Sequence, residues 1–375
     1  MPPLNSDDRR AGQAGAILWL TLALVPAFGL TAVATRAYRT EQQRQARSWF
    51  ARGEAFLRDG HAVEAIASFH NALAFSREDE RFRLRLAQAL AAAGRTAEAR
   101  AYLLTLRNVQ PGDGEINLEL ARLAARDGDV DNAARFYRHA IEGAWNDSGE
   151  ERRRDVRLEL AGFLIARGRQ LQARTALIAL HGDQPAGTPV ERSAAALMLE
   201  AGLDAQASAI YEAILRRDPA DHEALAGAGR AKFNQGQYTA AVSLLLRATG
   251  ERGGDPRSAE LLATARLIVD ADPYQRRLPM SVRAKRTERA LESARARLSR
   301  CSADRQDPAL RQLSAELQTV GGLDAHDFAR SPEAIDAAMD LVYRIEQAAA
   351  AACGEPDQPL DRALLLLAGR TGGAP

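Results

Sequence analysis

The chain has 375 residues, 50 Lys and Arg against 49 Asp and Glu, and only 5% aromatics. That balance excludes a globally basic nucleic-acid binder and an acidic disordered chain, and the length suffices for more than one folded unit. Lysine stands only at Lys232 and Lys285, and cysteine only at Cys301 and Cys353.

Residues 1–13 form a short flank containing Arg9 and Arg10. Residues 11–35 hold no charge, and the apolar part spans 14–34. About 21 helical residues reach about 31 Å, the thickness of a bilayer's hydrocarbon layer, so the pattern predicts a single transmembrane helix over 14–35 that acts as a signal anchor. Pro26 and Gly29 are tolerated inside a membrane span. Two alternatives are a cleaved signal peptide, with Ala32 and Ala34 at its cleavage site, and a buried core helix. Arg36, Arg39, Arg44 and Arg47 follow the span and favour a cytoplasmic domain. A long C-terminal domain behind a lone N-terminal helix can nonetheless be exported regardless of nearby charge.

From residue 46 a periodicity takes over. Gly60, Gly94, Gly128, Gly168, Gly202 and Gly236 lie 34 residues apart, except for one step of 40 before Gly168. Each is followed five residues later by alanine: Ala65, Ala99, Ala133, Ala173, Ala207 and Ala241. Seven residues before each glycine the residue is small (Gly53, Ala87, Ala121, Ala161, Ala195, Gly229), and nine after it is bulky (Phe69, Leu103, Tyr137, Leu177, Tyr211, Leu245). Small residues let two helices approach, glycine turns the chain between them, and the bulky residue fills the crevice. The six extra residues fall before Arg154, as a longer loop or an extended first helix.

This pattern, fullest in Ala87, Leu90, Gly94, Ala99, Leu103 and Pro111, resembles the tetratricopeptide repeat (TPR) family. The resemblance covers residues 46–253 and implies an all-α fold: a right-handed solenoid of about six antiparallel helix pairs. It also implies a concave groove for a protein or peptide ligand. Family positions that face the groove map to Arg47, Phe50, Glu54, Arg58, Arg81, Gln88, Glu115, Arg122, Arg126, Arg192, Arg230, Phe233 and Asn234. Their signs are mixed, and the Lys and Asn set that clamps chaperone tails is missing. The arginines can pair bidentately with carboxylates of a peptide.

Residues 256–375 read as a separate C-terminal helical bundle, with helices near 258–270, 280–301, 308–320, 332–353 and 359–369 bounded by prolines. The long helices ending at Cys301 and Cys353 flank a shorter one, so an up-down-up arrangement brings both cysteines to one side. That geometry permits a disulfide, which would imply an oxidising compartment such as the periplasm; the alternative is two unrelated buried thiols.

Chemistry is scarce. The six histidines are scattered, and no HExxH pair, cysteine–histidine zinc spacing, GxSxG elbow or Walker loop occurs, so neither catalytic, metal nor cofactor-binding residues are assigned. Gly227 and Gly229 begin a dinucleotide-like run but sit inside a repeat helix. Glu115 with Glu119 and Glu150 with Glu151 read as solvated helix faces. The expectation is a non-enzymatic, single-pass scaffold or assembly factor of the bacterial inner membrane. Its soluble part is expected to be periplasmic, or alternatively a cytoplasmic-facing adaptor; an enzyme with an unrecognised C-terminal site is the third reading.

Overall fold

The computed structural model describes the backbone of residues 6–182, 190–250, 255–302, 307–320 and 322–371, and these are helical apart from turns and one isolated bridge. The first helix, α1 (Ser6–Arg58), is continuous for 53 residues. The uncharged stretch and the first repeat helix therefore share one rod. Most of the expected span over 14–35 lies outside the described side chains, which begin at Phe28. Among the described residues no helix is long and apolar enough to cross a membrane.

Helix pairs follow: α1 with α2 (Ala62–Phe75), α3 (Glu80–Ala92) with α4 (Thr96–Val109), and α5 (Gly114–Arg126) with α6 (Val130–Glu142). Next come α7 (Gly149–Ala166), α8 (Gln170–Gly182), α9 (Val190–Glu200) with α10 (Asp204–Arg217), and α11 (His222–Asn234) with α12 (Tyr238–Thr249). Two compact units result, residues 1–163 and 164–375.

The repeat chemistry is visible in every turn. All six period-setting glycines have φ between +70° and +80°, a region that costs other residues about 1–2 kcal/mol. The amide after each glycine donates back to a carbonyl five residues earlier, as from His61 to Phe56 at 2.8 Å and from Leu203 to Met198 at 2.8 Å. These are glycine-dependent helix stops. The alanines five residues on are all fully buried. A Cβ on Gly53 would lie 2.6 Å from the Phe69 ring, and one on Gly229 would lie 2.7 Å from Leu245. The small residue of the first helix thus meets the bulky residue of the second. Asp79, Asp113 and Asp221 cap α3, α5 and α11 by accepting the backbone amides of Arg81, Ile116 and Ala224. Such a cap contributes about 1 kcal/mol.

The six-residue excess goes mostly into α7, which begins at Gly149 rather than near Arg154 and runs for 18 residues. Before it, residues 143–148 fold back on the preceding turn. Gly114 N–H donates to the Ala144 carbonyl, and Ala144 N–H to that of Gly112, both at 2.8 Å.

In the second unit α13 (Pro256–Ala271) packs on both α12 and α18 (Pro359–Thr371), so residues 256–271 tie the last repeat to the C-terminal helices. Phe233 and Tyr238 of the last repeat join that C-terminal core. The remaining helices are α14 (Met280–Ser302), α15 (Pro308–Val320), the short α16 (Ala325–Arg330), which the sequence reading did not anticipate, and α17 (Pro332–Cys353). Helices α14 and α17 run parallel, since Arg297 meets Glu346 at 3.2 Å and farther along both helices Cys301 meets Cys353. The two cysteines form a disulfide with a Cα separation of 5.9 Å. Beside it Glu346 is fully buried, with Arg297 and Arg300 of α14 and Asp361 of α18 around it. Burial, reinforced by Asp361, pushes Glu346 up to about 8 against the pull of Arg297.

Two outcomes follow from this packing. Gly227→Ala places a Cβ 2.3 Å from the Tyr211 ring. It should cost about 1–3 kcal/mol by overpacking, read from denaturant unfolding of the chain. The raised Glu346 supplies stability that is complete below its unfolded value of about 4.3 and is lost as pH rises through about 8. Glu346→Gln should therefore raise the melting temperature by several degrees at about pH 9 and leave it nearly unchanged at about pH 4. An equal effect at both pH values would mean that the carboxyl is not held neutral.

Candidate functional site

In the first unit the leading helices of successive repeats present one connected polar row. Arg85 of α3 reaches Glu54 of α1 at 3.2 Å on one side and Glu115 of α5 at 3.3 Å on the other. Gln88, one turn on, accepts from Arg85 and donates to Glu115 at 3.1 Å and Glu119 at 3.2 Å. Arg122 continues the row, pairing with Glu119 at 3.1 Å and with Glu159 of α7 at 2.8 Å. The Tyr137 hydroxyl donates to Glu159 at 2.8 Å. Partners lie about one repeat apart because the 34-residue period returns each position to the same face.

Beside this row lies a cleft of about 400 Å³ lined by Phe50, Leu84, Ile116 and Trp145, by Arg81, Arg85 and Arg152, and by the carboxylates Glu80, Asp113, Glu115 and Asp147. Its apolar part includes Phe50, which stacks on Phe82 with centroids 4.6 Å apart. Its wall is the folded-back segment after α6, where the Trp145 ring packs so close to Gly114 that a Cβ there would lie 2.3 Å away. Trp145 Nε1 donates to the Ala140 carbonyl at 3.0 Å, which fixes the ring. Arg81 and Arg152 are exposed, Arg81 pairing with Asp79 at 3.3 Å and Arg152 lying 5.9 Å over the Trp145 ring.

The expected groove residues divide accordingly. Phe50, Glu54, Arg81, Gln88, Glu115 and Arg122 come together in the row and the cleft. Arg47 and Arg58 are exposed on α1, and Arg126 donates to the Ala91 carbonyl at the end of α3. Arg192, Arg230, Phe233 and Asn234 belong to the second unit. There Arg192 bridges Asp221 at 2.7 Å and Glu223 at 2.5 Å, and Asn234 donates to Asp204. Phe233 packs edge-on to Tyr238 at 5.3 Å. Arg230 has no ion pair among the described residues. Glu119 corrects the solvated-face reading: its side chain is 14% exposed, and burial pushes its carboxyl above the ordinary range. Arg85, Glu159, Trp145 and Arg152 were missed, though the 34-residue frame could have flagged Arg85, Glu119 and Glu159 as near-equivalent positions. Among the described residues no cluster of His, Cys, Asp or Glu could hold a metal ion.

A tetratricopeptide repeat family model matches residues 56–123 and 198–265. These segments are tetratricopeptide repeats. No curated protein matches the chain. Among solved structures, YrrB, described as a TPR protein with an unusual peptide-binding site, is 15% identical over 53% of this chain and 97% of its own, with a TM-score of 0.41. PilF of Pseudomonas aeruginosa is 13% identical over 60% and 99%, TM-score 0.44. The C-terminal part of a TPR repeat-containing protein from Cytophaga hutchinsonii is 12% identical over 84% and 98%, TM-score 0.44. These are likenesses of fold alone.

Within the TPR row, burial pushes the Glu159 carboxyl up, but hydrogen bonds from Arg122 and Tyr137 outweigh it and hold it below its ordinary value. Burial and the Glu159 charge together push the Tyr137 phenol up. A depressed carboxyl stabilises above its unfolded value of about 4.3, and that contribution disappears as pH falls through the folded value. Arg122→Gln should cost about 1 kcal/mol at neutral pH, the scale of a half-exposed pair, and the gap from wild type should close as acidification carries Glu159 through its lowered value. Chemical unfolding at neutral and acidic pH checks this.

Proposed function

We propose that this chain is a membrane-anchored TPR scaffold or assembly factor whose first unit grips an extended segment of a partner protein in the Phe50–Trp145 cleft. The observation behind this reading is the cleft's construction. Phe50, Leu84 and the fixed Trp145 ring offer apolar surface, and side chains of both signs surround it, which suits a peptide with an apolar residue flanked by polar groups. Arg122, by contrast, is spent on Glu119 and Glu159 and serves to hold neighbouring repeats in register. The arginines that line the cleft are Arg81, Arg85 and Arg152; Arg85 is held by Glu54 and Glu115 and Arg81 shares its guanidinium with Asp79, which leaves Arg152 and the outer edge of Arg81 for a ligand.

Anchoring rests on the uncharged run of residues 11–35 and on Phe28, Leu30 and Val33, which are 69–77% exposed on α1. Such side chains gain from a lipid environment. Export of the soluble part to the periplasm is supported by the disulfide between Cys301 and Cys353, a bond that persists in oxidising compartments.

A photo-crosslinking residue at Leu84, inside the cleft, should give a discrete adduct in the membrane fraction of the native host. The same residue at Val63, 70% exposed on α2, should not. Arg81→Glu with Arg152→Glu should remove the adduct. Equal adducts at both positions, or one indifferent to the charge reversal, would move the site elsewhere. The full-length chain should resist carbonate extraction in the same preparation, and a soluble form beginning near Thr35 would replace the anchor with a cleaved signal.

A further inference from the structure

The near-zero charge of the whole chain hides a local excess. Between Arg276 and Arg300 stand nine arginines and lysines against two glutamates, in a chain whose net charge is +1. Several of these cations are spoken for. Arg297 meets Glu346 and Arg300 meets Asp361. Arg283 donates to the Pro273 carbonyl. Arg286 takes the Val269 and Asp272 carbonyls at 2.7 and 2.9 Å, capping the end of α13. Lys285 and Arg289 are different: both are exposed, and neither has a hydrogen bond or ion pair among the described residues. They lie four residues apart, hence on one face of α14, where like charges repel.

That face borders a cleft of about 310 Å³ between the end of α13, α14 and the start of α18. Lys285, Arg286 and Arg289 line it with a single carboxylate, Asp270, and its apolar surface comes from Ala271, Val282, Ala290 and Leu360. Two cations without a partner among the described residues, beside Arg286 fixed by backbone carbonyls, make this wall locally positive.

We propose that this cleft is a second docking site, for an acidic segment of a protein partner. Carboxylates of the segment pair with Lys285 and Arg289 while an adjacent apolar side chain enters against Val282 and Leu360. The recess and its apolar lining favour a peptide over a bilayer surface, which meets basic residues on an open face. No aromatic ring lines the cleft to stack a base, which disfavours single-stranded nucleic acid. The site stands in residues 164–375 and does not depend on the cleft of the first unit, so either can fail without the other.

The test compares the full chain with the same chain carrying Arg81→Glu and Arg152→Glu, which removes the first cleft's arginines, in neutral detergent, with a fluorescein-labelled peptide of alternating glutamate and leucine as probe. The same peptide with lysine for glutamate is the control, and short-chain phosphatidylglycerol is a competing lipid anion. The acidic peptide should bind both chains in preference to the lysine peptide, and more weakly as salt rises. Lys285→Glu with Arg289→Glu should weaken it about tenfold, the loss of two ion pairs of about 0.7 kcal/mol each, with the helical signal unchanged. The proposal falls if the two peptides bind alike, or if charge reversal leaves acidic-peptide binding unchanged. It falls equally if only the lipid distinguishes wild type from the variant.

Discussion

The close approach of two helices at a small residue is the constraint on which the rest depends. In the first repeat a hydrogen at Gly53 is all that the Phe69 ring leaves room for, and in the last the same holds for Gly229 and Leu245. Once that spacing is set, the turn must be tight, which requires positive φ at the glycine seven residues on. The alanine after the turn must also be small enough to vanish into the contact, and all six are fully buried. Three local requirements agree with one geometry, and such agreement across levels makes a repeat specify itself.

Stacking then does electrostatic work that no single repeat can do. Arg85 bridges two neighbouring repeats because the period returns carboxylates to both sides of it. The row alternates sign: Arg85 is flanked by anions on both adjacent helices, and Arg122 by Glu119 on its own helix and Glu159 on the next. Half-buried charges are tolerable only in such company, since burial alone would neutralise them, as the raised Glu119 shows. A guanidinium satisfied in this way has little left to offer a ligand. The groove-facing position of a residue in the family frame is therefore a statement about direction, not about availability.

This distinction explains what was legible in the sequence. The helix pairs and the turn glycines could be read from one period, because each depends on residues within about 20 positions of one another. The long C-terminal helices could be read from prolines and apolar spacing, while α16, only six residues long, is too short to show a period. The cleft was not legible. Its wall comes from the aperiodic residues before α7, whose hydrogen bonds to Gly112 and Gly114 no repeat rule encodes. The repeat frame does place Arg122 beside Glu159, in the same relation as Gln88 beside Glu119, but it says nothing of whether a guanidinium is left free for a ligand.

The same lesson runs through charge. A net of +1 excluded a globally basic protein, and it did so correctly, but totals cannot report where charge is spent. On α14 arginines are consumed structurally: buried Arg297 meets Glu346 and half-exposed Arg300 meets buried Asp361, which links three helices around the disulfide. With burial holding Glu346 neutral, the Arg297 contact specifies an arrangement more than it strengthens it. The cations left over are those on the outer face of the same helix, where nothing in the fold requires them. Lys285 and Arg289 repel each other by about 0.2–0.5 kcal/mol at a spacing where opposite signs would attract, and an acidic segment laid against them would turn that repulsion into pairing.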